Sequence, residues 1–85
     1  MGYIVYVKDA GEKSKVFNLL HRWGLNSKPS PFPSHAEICR YVVIFRDHFY
    51  TAHGQDLNAI MDGEEMFELR NLMELNQIKD IYDIR

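Results

Sequence analysis

The sequence predicts one small α+β domain, an antiparallel β-sheet with two helices packed on one face. Three observations predict it. Residues 3–9 form a near-continuous apolar and aromatic run, which reads as a covered, central strand. The next segment follows the 3.6-residue period of an amphipathic helix and stops at Gly24. Residues 38–52 then read as a hairpin, and an acidic amphipathic segment follows it. With 85 residues, all of it belongs to a single domain.

The elements follow in order. The strand at residues 3–9 is rich in β-branched and aromatic residues. Asp9 is placed to cap the first helix, with Glu12 three residues on at the reciprocal capping-box spacing. Val16, Leu19, Leu20 and Trp23 make its apolar stripe, and Lys13, Lys15 and Arg22 its polar face. Gly24 supplies the left-handed stop. Residues 25–35 hold three prolines and read as an ordered loop, because proline removes donors and fixes φ. A connection that long is often functional. Residues 38–45 and 48–52 are the two hairpin strands. After Gly54 the chain reads as helical, in one or two pieces. Asp56 is a cap for a first short turn, and Asp62 with Glu65 repeats the capping-box spacing. Met66, Leu69, Leu72 and Met73 form the stripe of this second helix. In residues 78–85, Ile78, Tyr82 and Ile84 alternate as in a final edge strand, the preferred reading, while Ile78, Ile81 and Tyr82 also fit a helix. The order β-α-β-β-α-(β) is that of a ferredoxin-like split βαβ fold, without internal repeats.

Composition bounds the function. The apolar fraction of 46% and aromatic fraction of 13% belong to a globular protein. A single cysteine, Cys39, rules out an intrachain disulfide and fits a reducing cytoplasm. There is no apolar run of membrane-spanning length and no signal-peptide layout, and Tyr6 stands where a myristoylation signal needs Ser or Thr. The expectation is a cytoplasmic protein with no membrane partner. The net charge is −2, unevenly spread: residues 1–46 carry seven Lys/Arg against three Asp/Glu, and residues 47–85 carry three against nine. Such a split suits an anion-attracting first half, or two surfaces that attract each other in a homo-oligomer.

Several chemistries are weighed and set aside. His35-Ala36-Glu37 matches the opening of a zinc deaminase signature, but the downstream cysteine pair that completes the metal site is missing. The histidines and Cys39 show no metal-ligand spacing. The turn at residues 9–15 has one glycine and neither the Walker nor the Rossmann pattern. No catalytic constellation remains, so no enzyme activity, metal or cofactor is expected. Arg22, Trp23, Lys28, His35, Arg40 and Tyr41 are the candidate ligand-binding set. Guanidinium groups and aromatic faces together hold nucleotides by phosphate pairing and stacking. In the expected fold these residues converge at one end. A second candidate surface is an acidic helix over residues 62–75, where Glu64, Glu65 and Glu68 would dock a basic host protein. A net charge of −2 makes nucleic acid a poor partner.

Two resemblances bear on this reading. Asp9, Gly11, Val16, Leu19, Leu20, Gly24, Leu25 and Asn26 resemble the opening of ACT-type regulatory domains, over about a quarter of the chain. That resemblance implies an amino-acid site at the strand–helix turn. It departs from the family at Ala10, where proline is usual, and at Lys13. In size and element pattern the chain also resembles small phage-encoded accessory proteins, which act against host systems by sequestering a nucleotide signal or blocking a protein. This second resemblance implies an anti-defence binding protein and carries over no functional residue.

Overall fold

The computed structural model describes residues 2–31, 39–63 and 65–82, with side chains described as far as Gln77. The elements are β1 (Gly2–Tyr6), α1 (Ala10–Arg22), β2 (Asn26–Ser27), β3 (Tyr41–Ile44), β4 (His48–Ala52), a 3-10 turn (Gly54–Asp56), α2 (Leu57–Gly63), β5 (Met66–Leu69) and α3 (Leu72–Tyr82). This is the α+β class the sequence predicts. The sheet, however, is mixed rather than antiparallel. Its strand order is β2-β4-β3-β1-β5. β3 runs antiparallel to β1 and β4, while β5 lies parallel to β1 and β2 parallel to β4. Among the described residues, four strands therefore point one way and β3 the other.

Strand alternation sorts the core into two layers. Tyr3, Val5 and Val7 face one side with Val42, Ile44 and Phe49, and meet Val16, Leu20 and Trp23 from α1 and Leu75 from α3. Ile4, Val43 and Ala52 face the other side and meet Ile60 of α2. α1 and α3 thus share one face and α2 covers the opposite one, so the helices are not confined to a single face as a ferredoxin-like fold would have them. The chirality of crossovers accounts for this. β1-α1-β2 and β4-α2-β5 join parallel strands but travel across the sheet in opposite directions. Two connections of the same hand must then lie on opposite faces.

The first helix matches its sequence signals closely. The Glu12 amide donates to Asp9 Oδ1 at 2.8 Å, and Gly24 takes φ +91° at the far end. The Glu12 carboxylate differs in one respect, since it accepts from the Lys8 amide at 2.9 Å. The expected strand at residues 38–45 is shorter, with Cys39 and Arg40 preceding β3. The 25–35 loop begins with a two-residue edge strand, β2.

The second half departs further. Residues 66–69, expected as helix, form β5, and residues 78–82 continue α3, the helical alternative for the tail rather than the preferred edge strand. Met66, Leu69, Leu72 and Met73 satisfy a helical stripe on paper. The open edge of β1, though, needs a hydrogen-bonding neighbour, and local propensity yields to that demand. Asp62 is not a cap; it lies inside α2, and Asn71 caps α3 by accepting from the Glu74 amide at 3.1 Å. Asp56 caps through its partner. His53 is the capping residue, and Asp56 Oδ2 accepts from its amide at 3.0 Å.

Candidate functional site at the carboxyl ends of two parallel strands

The sequence-derived ligand set does not converge. Arg22 sits in the last turn of α1, exposed, and Trp23 is a core residue at 9% exposure. Lys28 follows β2 beside the β3–β4 turn, where its amide donates to the Phe49 carbonyl at 2.9 Å. Arg40 and Tyr41 lie at the other end of the sheet, since the Val7 amide donates to the Arg40 carbonyl at 2.8 Å. The thirteen-residue α1, about 20 Å long, separates Arg22 and Trp23 from that end, and Lys28 is set apart from β3 by the intervening strand β4. His35 lies outside the described residues. The acidic surface divides as well. Glu68 is exposed on β5, Glu65 precedes that strand, and Glu64 lies outside the described residues. Residues 62–75 are therefore not one helix, and the expected acidic docking helix is absent as such.

A different constellation is assembled at the end that holds Arg40 and Tyr41. β1 and β5 are adjacent and parallel, paired in register from Gly2↔Met66 to Val5↔Leu69. Both strands leave the sheet at the same level and both lead directly into a helix. In open sheets, ligands bind outside the carboxyl ends of parallel strands. Here that position holds a cleft of about 580 Å³ lined by Tyr6, Lys8, Glu12, Arg70, Asn71, Leu72, Met73 and Asn76. A second hollow of about 230 Å³ adjoins it at Lys8, with Asp9, Lys13, Cys39 and Arg40 in its wall.

The two strand–helix junctions are built alike. At the first, Lys8 precedes the cap Asp9, and Glu12 Oε1 accepts from the Lys8 amide. At the second, Arg70 precedes the cap Asn71, and Glu74 Oε1 accepts from the Arg70 amide at 2.8 Å. Each junction thus satisfies its helix amides with side chains and projects one cation beside the cleft. The signal was present in the sequence. Lys8-Asp9-Ala10-Gly11-Glu12 and Arg70-Asn71-Leu72-Met73-Glu74 share a basic–cap–x–x–Glu spacing, a short repeat that periodicity alone does not detect.

Arg40 braces the first junction, its Nη1 donating to the Lys8 carbonyl at 2.9 Å. Behind it, Tyr6 and Tyr41 meet edge-on with centroids 5.5 Å apart, and Tyr6 is 37% exposed. Lys8, Lys13, Arg40 and Arg70 outnumber Asp9, Glu12 and Glu74 here. All three carboxylates already accept backbone hydrogen bonds. The site therefore combines cations with an exposed aromatic edge.

Glu74 also meets the Arg70 side chain, Nε to Oε2 at 3.0 Å. The hydrogen bond from the Arg70 amide, then that from its side chain, holds the Glu74 carboxyl below its usual range. The sign of the pH effect follows. A depressed carboxylate contributes stability above its unfolded value of about 4.3 and loses it as pH falls through the lowered folded value. In acid titrations followed by circular dichroism, Glu74→Gln is expected to flatten the fall in melting temperature below that pH. An unchanged profile would show that the second junction is not held this way. At the opposite end of the sheet, the His48 ring bonded to Asp47 at 2.7 Å holds that carboxyl below its usual range.

Among the described residues no group of three His, Cys, Asp or Glu could hold a metal ion, and no helix is long and apolar enough to cross a membrane. Searches of family models, curated proteins and solved structures found no match to this chain.

Proposed function

We propose that the protein is a non-enzymatic binding protein that captures a small anionic, nucleotide-like ligand at the carboxyl ends of β1 and β5. One observation carries this reading: two capped helix junctions place Lys8 and Arg70 on the same cleft. Arg40 stands on the adjoining hollow. Guanidinium and ammonium groups in such a cleft match phosphate, and the exposed Tyr6 ring beside Tyr41 offers a surface for a base. Arg40 and Tyr41 are kept from the set read in the sequence; Lys8, Arg70 and Tyr6 take the places of Arg22, Trp23 and Lys28. Sequestration of a nucleotide signal, as in the accessory proteins the chain resembles, is the role this capture would serve.

A melting-temperature panel with mono-, di- and cyclic nucleotides tests the reading. A ligand that binds only the folded state at a hundredfold excess over Kd adds about 2.7 kcal/mol. The expected result is a clear rise with at least one nucleotide, lost in Arg40→Ala and Arg70→Ala. No rise across the panel would end the proposal.

A further inference from the structure

The cleft does not end at the strand tips. It continues down between α1 and α3 into a groove of about 280 Å³ lined by Lys15, Asn18, Leu19, Arg22, Leu72 and Asn76. Leu72 and Asn76 line both hollows, so the two form one furrow. Along its α1 wall Lys15 and Arg22 stand seven residues apart. Seven residues are nearly two helical turns, which sets these two cations in line about 10.5 Å apart, and Lys8, ahead of the helix, lines the upper cleft. The floor is apolar, with Leu19 and Leu72 half-buried and Met73 exposed at 69% on the rim. Among the described residues, no carboxylate lines the lower groove.

We infer that this furrow is a docking site for an acidic amphipathic helix of a partner protein. Charge complementarity argues for this occupant. A helix laid along the furrow would set its apolar face on Leu19, Leu72 and Met73. Carboxylates spaced seven residues apart would then meet Lys15 and Arg22 in turn. The same stripe argues against a second copy of this chain. Two copies packed face to face on this groove about a twofold axis would set Lys15 and Arg22 of one against Lys15 and Arg22 of the other, all of like charge. A single strand of nucleic acid is disfavoured too. Among the described residues the lower groove offers no aromatic ring for stacking, and the chain carries a net charge of −2. The sign is the reverse of the docking surface expected from the sequence: the basic face of α1 receives acid.

The test uses a fluorescein-labelled helical peptide, about 21 residues or roughly 30 Å long, read by anisotropy. It carries leucines on one face and glutamates seven residues apart on its flank. Its counterpart carries lysine in place of each glutamate, and a labelled single-stranded octanucleotide is the third probe. The Glu peptide is expected to bind, and to bind more weakly as salt rises. Lys15→Glu/Arg22→Glu, both exposed positions, is expected to weaken it about tenfold and to admit the Lys peptide. Circular dichroism confirms that this variant is folded. Met73→Asp supplies a second, independent loss. No binding of the Glu peptide, equal binding of both peptides, indifference to the double variant, or octanucleotide binding that this variant abolishes would each overturn the inference. The nucleotide-induced melting shift tracks Arg40 and Arg70, not Lys15 and Arg22. It should survive in the double variant, so the two proposals can fail separately.

Discussion

Phe49→Ala is expected to destabilise the fold by about 3–5 kcal/mol. Phe49 is fully buried and is the largest side chain of the core at that level of burial. Its ring meets Phe17 with centroids 5.3 Å apart and His21 at the same distance, both from α1. Truncation therefore removes the contact between β4 and α1 and leaves a cavity that two neighbouring rings can fill only in part. A domain of this size has a total stability of about 5–15 kcal/mol, so the loss takes a large share. At about 4–8 °C per kcal/mol, the melting temperature should fall by tens of degrees. A drop of only a few degrees would mean that α1 does not pack on β4 as described.

Leu75→Ala is expected to cost about 2–5 kcal/mol. Leu75 is fully buried from α3 among Val5, Val16, Leu20 and Trp23. Its importance depends on α3 lying on the α1 face of the sheet. Urea melts give the cost, and limited proteolysis gives the location, with cleavage near residues 70–77 accelerated over wild type. A neutral substitution would mean that α3 does not pack on the α1 face as described. The exposed neighbour Met73 provides the contrast, because its truncation should leave stability within about 0.5 kcal/mol.

Local signals made the first half legible. Asp9, the Val16–Leu20 stripe and Gly24 each state a boundary or a face of α1 within a few residues of sequence. Val42, Val43 and Ile44 are buried on both faces, and so read as strand without ambiguity. The second half was less legible, because its outcome is set at long range. Met66 to Leu69 pair with Gly2 to Val5 across more than sixty residues, and nothing in the four residues themselves requires it. That missing strand also concealed the site. Lys8 and Arg70 lie on one cleft only because β1 and β5 are parallel neighbours, so no spacing rule within either segment reveals their meeting. Arg40 and Tyr41 were found for their residue types, and Arg22, Trp23 and Lys28 were grouped with them because a ferredoxin-like order starts the next strand at the carboxyl end of the first helix, whereas β3 starts where β1 ends. The sense in which α1 runs carries Arg22 to the far end. There it serves the groove between the helices instead.

The central claim is that the carboxyl ends of β1 and β5 form the ligand site. Amide chemical-shift mapping, with the nucleotide that raises the melting temperature most, tests it directly. The expected shifts fall on residues 6–13, 40–41 and 70–73, and fade in Arg70→Ala. Shifts centred on Arg22, Trp23 and Lys28, with the strand-end residues unmoved, would contradict it.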